Sequence, residues 1–214
     1  MKTFIVSLLF AFSLVACAQK KPVASEIPLG DPKKPAGKEA VAYFAEGCFW
    51  HAEIVFQSLI GVREAVSGYA GGKTSNPTYE EVAGGETGHA EAVNVYYDPA
   101  KISYQTLVAA FFASMDPTSL NRQGNDVGTE YRSIAFYRND KEKQLIQAEI
   151  NRINDSKKYS SKIVTEVIPF TKFYPAEDYH QEYILNNPAN SYVHHISIPD
   201  FIEFKKGFKG PFKQ

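Results

Sequence analysis

The chain has 214 residues, of which 44% are hydrophobic and 22% are charged, and its formal net charge is −1. This length and composition are typical of one globular domain with a sizeable core, and they exclude an intrinsically disordered chain. The near-neutral charge, with basic residues clustered only in the C-terminal KKGFKGPFK, excludes an extended nucleic-acid-binding surface.

The N-terminal residues have the pattern of an export signal. One lysine near the start precedes about a dozen apolar residues, a run too short for a membrane-spanning helix. The run ends in Leu14-Val15-Ala16-Cys17, which resembles the bacterial lipobox and implies cleavage before Cys17 and attachment of lipid to it. An ordinary secretory signal, in which Cys17 has no role, is the alternative. We therefore expect a lipoprotein signal peptide at 1–16.

Residues 17–38 are expected to form a lipid-anchored flexible tether, because they are rich in Pro, Lys and Ala and lack periodicity. The resulting protein would be exported and membrane-anchored, on the periplasmic side of the outer membrane if the cell has two membranes. The remaining residues, 39–214, are expected to form the domain.

Hydrophobic periodicity and turn residues predict the elements of this domain. In chain order they are a buried strand in EAVAYFAEG (39–47), a helix at 49–59, strands in GVREAVSGYAGG (61–72) and GHAEAVNVYYDP (88–99), a helix at 103–115 with Ser103 as its N-cap, a polar loop at 116–130, a strand at 131–137, a helix at 140–154, a strand at 162–170 and a turn of helix around 177–186. The order β-α-β-β-α-β is that of the split βαβ motif. We predict an α/β (α+β) fold, a ferredoxin-like two-layer sandwich with C-terminal extensions.

Cys48 lies where the first strand gives way to the first helix. A thiol at a helix N-terminus faces unpaired N–H groups and the positive end of the helix dipole, so we expect a lowered pKa and a nucleophilic sulfur. The alternative is a buried structural cysteine. Phe49 and Trp50, the only tryptophan of the chain, follow directly and would form an apolar wall suited to a small group such as a methyl.

Several sequence blocks resemble, in order, the peptide methionine sulfoxide reductases of the A type. The blocks are GCFWHAE, GYAGG, NPTYEEV, TGHAEAV, YDP, QGNDVGTEYRS and FYPAEDYHQEY. The resemblance runs from about residue 42 to residue 190. It implies the same α/β fold and the reduction of the S epimer of methionine sulfoxide, free or in peptides, with no nucleic-acid partner.

The resemblance also implies roles for single residues. Cys48 attacks the sulfoxide sulfur, and Phe49 and Trp50 hold the methyl group. The sulfoxide oxygen is faced by one carboxyl group and two phenols, while two further side chains line the site; these residues are Glu91, Tyr69, Tyr131, Asp126 and His180.

Glu91 fits this chemistry because its strand consists largely of Ala, Val and Tyr. A carboxyl group in an apolar site keeps its proton near neutral pH and can protonate the sulfoxide oxygen. The alternative is an edge residue that reaches solvent. Tyr69 and Tyr131 could instead be core residues, His180 a surface histidine and Asp126 a loop cap.

The chain departs from the resemblance in its C-terminal region, NNPANSYVHHISIPDF, which contains no resolving cysteine. A sulfenic acid on Cys48 must then be reduced by an external thiol, either a small molecule or a thioredoxin-like protein. No other cofactor is expected. His194 and His195 would point apart on a strand, so we expect no metal site.

Two other functions remain open at this point. A thiol peroxidase or redox sensor needs an accessible thiolate but neither a methyl pocket nor a protonated Glu91. A peptide-binding lipoprotein needs the aromatic wall but no reactive thiol. In each case we expect a monomer.

Overall fold

The computed structural model describes residues 37–214. The predicted signal peptide (1–16), Cys17 and the tether as far as residue 36 lie outside the described residues. Within 37–214, no helix has both the length and the apolar character needed to cross a membrane.

Strands and helices alternate along the first hundred described residues, and helices dominate the end of the chain. The elements in chain order are β1 (Ala40–Glu46), α1 (Phe49–Gln57), β2 (Val62–Ala70), α2 (Tyr79–Ala83), β3 (Ala90–Tyr97), α3 (Tyr104–Ala113), β4 (Arg122–Gln123), β5 (Asp126–Val127), a 3₁₀ turn (Thr129–Tyr131), β6 (Ser133–Tyr137), α4 (Asp140–Asp155), β7 (Glu166–Pro169), β8 (Phe173–Pro175), a 3₁₀ turn (Asp178–His180), α5 (Tyr183–Asn186), a π-helical turn (Val193–Ser197) and α6 (Ile198–Gly207).

Six strands form one sheet in the order β7-β6-β1-β3-β2-β8. The four inner strands, β6-β1-β3-β2, pair with one another in antiparallel fashion. Together with α1 and α3 they have the order and connections of a ferredoxin-like fold, as predicted. β7 extends the sheet by parallel pairing with β6, and β8 extends it by antiparallel pairing with β2.

One face of the sheet packs against α1 and α3. Phe44 of β1 stacks between Phe56 of α1 and Phe111 of α3, with ring centres 5.0 and 5.1 Å from its own. All three rings are fully buried. Since this aromatic core lies directly beneath α1, it fixes the start of that helix relative to the end of β1.

The opposite face carries small side chains, chiefly alanines, with Ile134 and Phe136. No helix covers this face in the part of the chain that the structure describes; the segment after β7 does so instead. Phe170 stacks on Tyr43 of β1 with ring centres 3.6 Å apart. Alanines allow this segment to lie close to the strands.

Several short or C-terminal elements were not predicted: α2, the β4–β5 hairpin and the 3₁₀ turn that follows it, β8, the π-helical turn and α6. α2 carries a capping box in which Thr78 and Glu81 bond each other's backbone, but its five residues are too few to show periodicity. The expected strand around His194 and His195 is wrong, because both residues lie in the π-helical turn. The expected turn of helix around 177–186 is present as a 3₁₀ turn and α5.

Candidate active site

Cys48 is the N-cap residue of α1, and it lies two residues after Glu46, the last residue of β1. Gly47 makes this step possible: its φ is +97°, and a Cβ at this position would lie 2.5 Å from the Cβ of Gln123. A side chain at residue 47 would therefore be strained and would also displace the β4–β5 hairpin. The carbonyl of Cys48 accepts bonds from the amides of His51 and Ala52, which starts the helix.

The sulfur of Cys48 is subject to opposing effects. Backbone N–H groups of Trp50 and His51 favour the thiolate, as predicted from its position. Burial disfavours it more strongly, and the nearby Glu91 carboxyl acts in the same direction, so the pKa of the Cys48 thiol is raised. The predicted lowering of the pKa is therefore wrong, and these surroundings favour the neutral thiol of Cys48.

Glu91 lies on β3 and is 3% exposed. Its Oε2 accepts a hydrogen bond from the backbone N–H of Phe49 at 2.9 Å, so the carboxyl group caps the first turn of α1. Burial raises the pKa of Glu91 to about 8, against the opposing effect of this bond. Glu91 is thus mostly protonated at neutral pH and is available as an acid beside Cys48.

Cys48 and Glu91 lie in a pocket of about 200 Å³. Aromatic side chains make up most of its wall; the lining residues are Cys48, Phe49, Trp50, Tyr79, Glu91, Asp126, Tyr131 and Tyr192. Burial raises the pKa of Tyr79 to about 12 and also raises that of Tyr131. Both phenols therefore stay protonated and can donate hydrogen bonds to a ligand.

Tyr69 was predicted to face the sulfoxide oxygen, and the structure places its hydroxyl elsewhere. Tyr69 pairs with Glu91 across β2 and β3, but its hydroxyl donates to Oε2 of Glu177 at 2.8 Å. The other oxygen of Glu177 accepts from the amide of Tyr79 at 3.0 Å. Tyr79, which was not predicted, lines the pocket instead. Its place at the start of the unpredicted α2 explains the omission.

His180 was predicted to line the site, but it lies behind the aromatic wall. Its Nδ1 accepts a hydrogen bond from Nε1 of Trp50 at 3.2 Å, and its ring contacts Phe49 and Tyr79 at 4.9 and 4.5 Å between centres. The ring is 2% exposed, and burial lowers its pKa. His180 is therefore a neutral support of Trp50, from which it is separated by 130 residues in sequence.

Asp126 reaches the pocket from β5, as predicted. Its Oδ2 accepts a hydrogen bond from the hydroxyl of Tyr192 at 2.5 Å, and this hydroxyl also lies within hydrogen-bonding reach of Cys48. Tyr192 was not predicted as a site residue. It follows β3 by almost a hundred residues and directly precedes the π-helical turn, so no local pattern in the sequence indicates it.

Residues 37–214 contain no group of three or more His, Cys, Asp or Glu side chains arranged to hold a metal ion. The rings of His194 and His195 lie 4.8 Å apart between centres and meet edge to face, rather than pointing apart as on a strand. The pocket that contains Cys48 offers acid–base and nucleophilic groups.

Comparisons with known proteins agree with one another. The family model of peptide methionine sulfoxide reductase matches residues 40–209. Peptide methionine sulfoxide reductase MsrA from Pasteurella multocida is 51% identical over 168 residues, which are 78% of this chain and 95% of that protein.

Solved structures are also similar. Reduced Mxr1 from Saccharomyces cerevisiae has a TM-score of 0.68 at 33% identity, covering 73% of this chain and 91% of its own. Methionine sulfoxide reductase A of Corynebacterium diphtheriae has a TM-score of 0.67 at 30% identity, covering 83% and 95%. Mxr1 has also been solved in complex with Trx2, where the TM-score is 0.50 at 24% identity, covering 70% and 88%.

The family model spans most of the chain, and the Pasteurella relative is matched over nearly its whole length. The chain therefore belongs to the peptide methionine sulfoxide reductases of the A type, and it is an enzyme that reduces the S epimer of methionine sulfoxide.

Proposed function

We propose that this enzyme reduces methionine sulfoxide, free or in proteins, through a sulfenic acid on Cys48 that an external thiol reduces, and that it repairs oxidised exported proteins. The observation that carries the mechanism is the meeting of the Cys48 thiol with a protonated Glu91 in one aromatic-walled pocket. A nucleophile and an acid are the two groups that removal of a sulfoxide oxygen requires.

The wall and the polar groups of the pocket suggest how the substrate is bound. The methyl group of the substrate packs against Phe49 and Trp50, where aromatic faces favour sulfur and methyl groups. The sulfoxide oxygen then accepts hydrogen bonds from Glu91, Tyr79 and Tyr131. Asp126, held by Tyr192, faces the remaining polar part of the substrate.

The chemical step transfers one oxygen atom. Glu91 gives its proton to the sulfoxide oxygen, while the Cys48 thiol loses its proton and its sulfur attacks the substrate sulfur. This attack forms a bond between the two sulfur atoms. The hydroxyl group then moves from the substrate sulfur to the Cys48 sulfur, and the sulfur–sulfur bond breaks with its electron pair left on the substrate sulfur, which leaves a sulfenic acid on Cys48 and releases methionine. The thiol proton restores Glu91. The substrate sulfur gains two electrons, which the Cys48 sulfur loses.

The thiol needs this proton exchange because burial and the nearby Glu91 raise its pKa and favour its neutral form. A polarised sulfoxide brings partial positive charge next to the sulfur, and its oxygen draws on the proton of Glu91. The ionisation of Cys48 is thus coupled to the arrival of substrate. Such coupling limits oxidation of the resting enzyme by other oxidants, which favours the reductase over a thiol peroxidase.

An external thiol restores the enzyme. Cys48 is the only cysteine among residues 37–214. One thiol condenses with the sulfenic acid, releasing water and forming a mixed disulfide, and a second thiol reduces this disulfide. The complex of yeast Mxr1 with Trx2 supports a thioredoxin-like protein as the donor. A small thiol that fits the pocket is the second candidate.

The test is the reduction of each epimer of a methionine sulfoxide peptide by the purified protein with dithiothreitol. We expect turnover of the S epimer only, loss of turnover by at least about a thousandfold in Cys48→Ser, and capture of the sulfenic acid by dimedone after one turnover. Turnover in Cys48→Ser would contradict the mechanism. Peroxide consumption at the same rate would favour the thiol peroxidase, and substrate binding without turnover would favour the peptide-binding protein.

We also propose that the enzyme is exported and anchored through lipid on Cys17. The apolar segment and the Leu14-Val15-Ala16-Cys17 pattern support this location. Mass spectrometry of the mature N-terminus provides the test. A diacylglyceryl modification on Cys17 is the expected result, and a mature chain that starts elsewhere with an unmodified Cys17 would contradict it.

A further inference from the structure

The wall residue Trp50 is held in place by a segment that comes from the C-terminal third of the chain. Tyr183 stacks on the indole of Trp50 with ring centres 3.7 Å apart and planes 6° apart. His180 accepts the indole N–H. Trp50 is half-buried in the first turn of α1, and its outer side packs on this segment, so its orientation depends on how residues 176–183 are fixed to the protein.

Glu53 fixes this segment. It lies one turn after Trp50 on α1 and is 2% exposed. Its Oε1 accepts hydrogen bonds from the backbone N–H of Glu182 at 2.7 Å and from Nε2 of Gln57 at 3.1 Å. Its Oε2 lies 2.5 Å from Oγ of Ser67 on β2. One carboxyl group thus joins a helix, a strand and the backbone of the segment.

The bond to Glu182 holds an unusual backbone conformation. Glu182 has φ of +53°, in the left-handed region that residues with a side chain rarely adopt. This conformation turns the chain between His180 and Tyr183 so that both can contact Trp50. Gln181 adds a second attachment, because its side chain exchanges hydrogen bonds with the backbone N–H and carbonyl of Ser67.

We propose that Glu53 is a positioning residue for the substrate wall: it holds Trp50 in its binding orientation through the segment that carries His180 and Tyr183. This inference rests on the proposed role of Trp50 in holding the methyl group of the substrate. Glu53 does not line the pocket, so it acts on substrate through residues that do, of which Trp50 has the most contacts with the segment.

The protonated form of Glu53 has the bonding pattern of a glutamine. Burial raises the pKa of Glu53 to about 8, and the neighbouring carboxyl groups of Glu182 and Glu64 act in the same direction. Oε1 accepts from Glu182 and Gln57, and Ser67 donates to Oε2 of the ionised group. In the neutral acid a proton on Oε2 can donate to Oγ of Ser67, whose hydroxyl then turns to the carbonyl of Phe49. Glu53→Gln keeps the acceptor and places an N–H where this proton lies.

Three variants test the proposal in the full protein. Glu53→Gln keeps the contacts, and Glu53→Ala removes them. Glu149→Ala is the matched control, because Glu149 is equally buried but bonds Arg152 on the same helix, α4. If Glu53→Ala does not fold, Glu53→Met takes its place, since it fills a similar volume without accepting hydrogen bonds.

The readouts are kinetics and the fluorescence of Trp50, which is the only tryptophan of the chain. In Glu53→Ala we expect the KM for methionine sulfoxide to rise about fivefold to tenfold with kcat nearly unchanged, because a loose wall weakens ground-state and transition-state binding alike. Emission of the folded protein should shift to the red, and quenching by acrylamide should increase. Glu53→Gln and Glu149→Ala should match the wild type at pH 7.

Two outcomes would overturn the proposal. One is unchanged Trp50 emission and KM in Glu53→Ala; the other is an equal change in Glu149→Ala or in Glu53→Gln. Fluorescence separates this proposal from the proposed function. If Trp50 becomes exposed while KM stays constant, Glu53 positions Trp50 but Trp50 does not hold the substrate, and the proposed role of the wall is wrong.

Discussion

The pocket is built by two regions of the chain that use different interactions. Cys48 and Glu91 belong to the ferredoxin-like core, where strand pairing and a stack of buried rings fix each backbone position. His180 and Tyr192 belong to the C-terminal segment after β8, which is fixed by side-chain hydrogen bonds and ring stacking. The core thus supplies the groups for chemistry, and the segment shapes and supports the walls around them.

This difference predicts two kinds of kinetic effect. Substitution of a core group should lower kcat, because it removes an interaction that develops in the transition state. Substitution in the segment should mainly raise KM, because packing against bound substrate changes little during the reaction. The kinetic predictions below run from the largest expected effect to the smallest. Failure of any of them would weaken the distinction between core residues that affect kcat and segment residues that affect KM.

Glu91→Gln should have the largest effect. Without a proton donor, kcat should fall about 10²- to 10⁴-fold while KM changes little. In the wild type, the active form carries the proton, so kcat should decline as the pH rises through about 8, the pKa of Glu91. Stopped-flow measurement of single turnovers from pH 6 to 10 checks both expectations.

Because Glu53 titrates in the same range, Glu53→Gln provides the control. Its decline at high pH should persist, whereas Glu91→Gln should show none. A decline that disappears in Glu53→Gln and persists in Glu91→Gln would mean that Glu53, and not Glu91, is the group whose protonation controls kcat.

Tyr79→Phe and Tyr69→Phe form a matched pair. Tyr79 lines the pocket, so loss of its hydroxyl should lower kcat about tenfold to a hundredfold. The hydroxyl of Tyr69 instead bonds Glu177, so its loss should change kcat by no more than about threefold. Steady-state kinetics with one peptide substrate compares them, and a larger effect of Tyr69→Phe would restore the original prediction for that residue.

Tyr192→Phe tests the C-terminal side of the pocket. The ring remains, but Asp126 loses its 2.5 Å hydrogen bond. We expect KM to rise about threefold to fivefold, with a smaller change in kcat. A fall in kcat of the size expected for Glu91→Gln would mean that this segment contributes directly to the chemistry.

The last prediction concerns stability rather than catalysis. The pKa of Glu91 and of Glu53 is about 8 in the folded state, whereas the pKa of glutamate in the unfolded chain is about 4.3. The folded state therefore binds more protons between these values, and the stability from the raised pKa is present at low pH and lost as the pH rises to about 8. Glu53→Gln removes one such group.

The free energy of unfolding of Glu53→Gln should fall less steeply with pH than that of the wild type. The stability of the variant relative to the wild type should therefore increase between pH 5 and pH 8.5. Urea denaturation at these two pH values checks the expectation. Equal slopes for the two proteins would mean that Glu53 is ionised in the fold.

The elements of the core could be predicted from the sequence because local residue patterns determine them. A short apolar run bounded by glycine predicted β1, alternating apolar residues predicted β3, helical spacing predicted α1, and their order predicted the fold. The location of Cys48, the wall of Phe49 and Trp50, and a buried Glu91 follow from these elements.

The C-terminal contribution could not be found in this way. Tyr192 and Tyr79 lie at the starts of short helical pieces whose position depends on partners far along the chain. Tyr69 was assigned to the pocket from the resemblance of the GYAGG block alone, and that block does not show that the distant Glu177 accepts its hydroxyl. The pKa of Cys48 was misjudged because the helix N-terminus can be recognised locally, whereas burial depends on the whole fold.

The bond between the Phe49 amide and Glu91 also bears on stereochemistry. The side chain of Phe49 lines the part of the pocket proposed to hold the substrate methyl group. Its backbone N–H donates to Glu91, the group proposed to bind the sulfoxide oxygen. The spacing between these two substituents of a chiral sulfur is thus set by the covalent geometry of a single residue. Handedness selected by a main-chain atom should survive side-chain replacement, so variants at residue 49 should lose speed before they lose preference for one epimer.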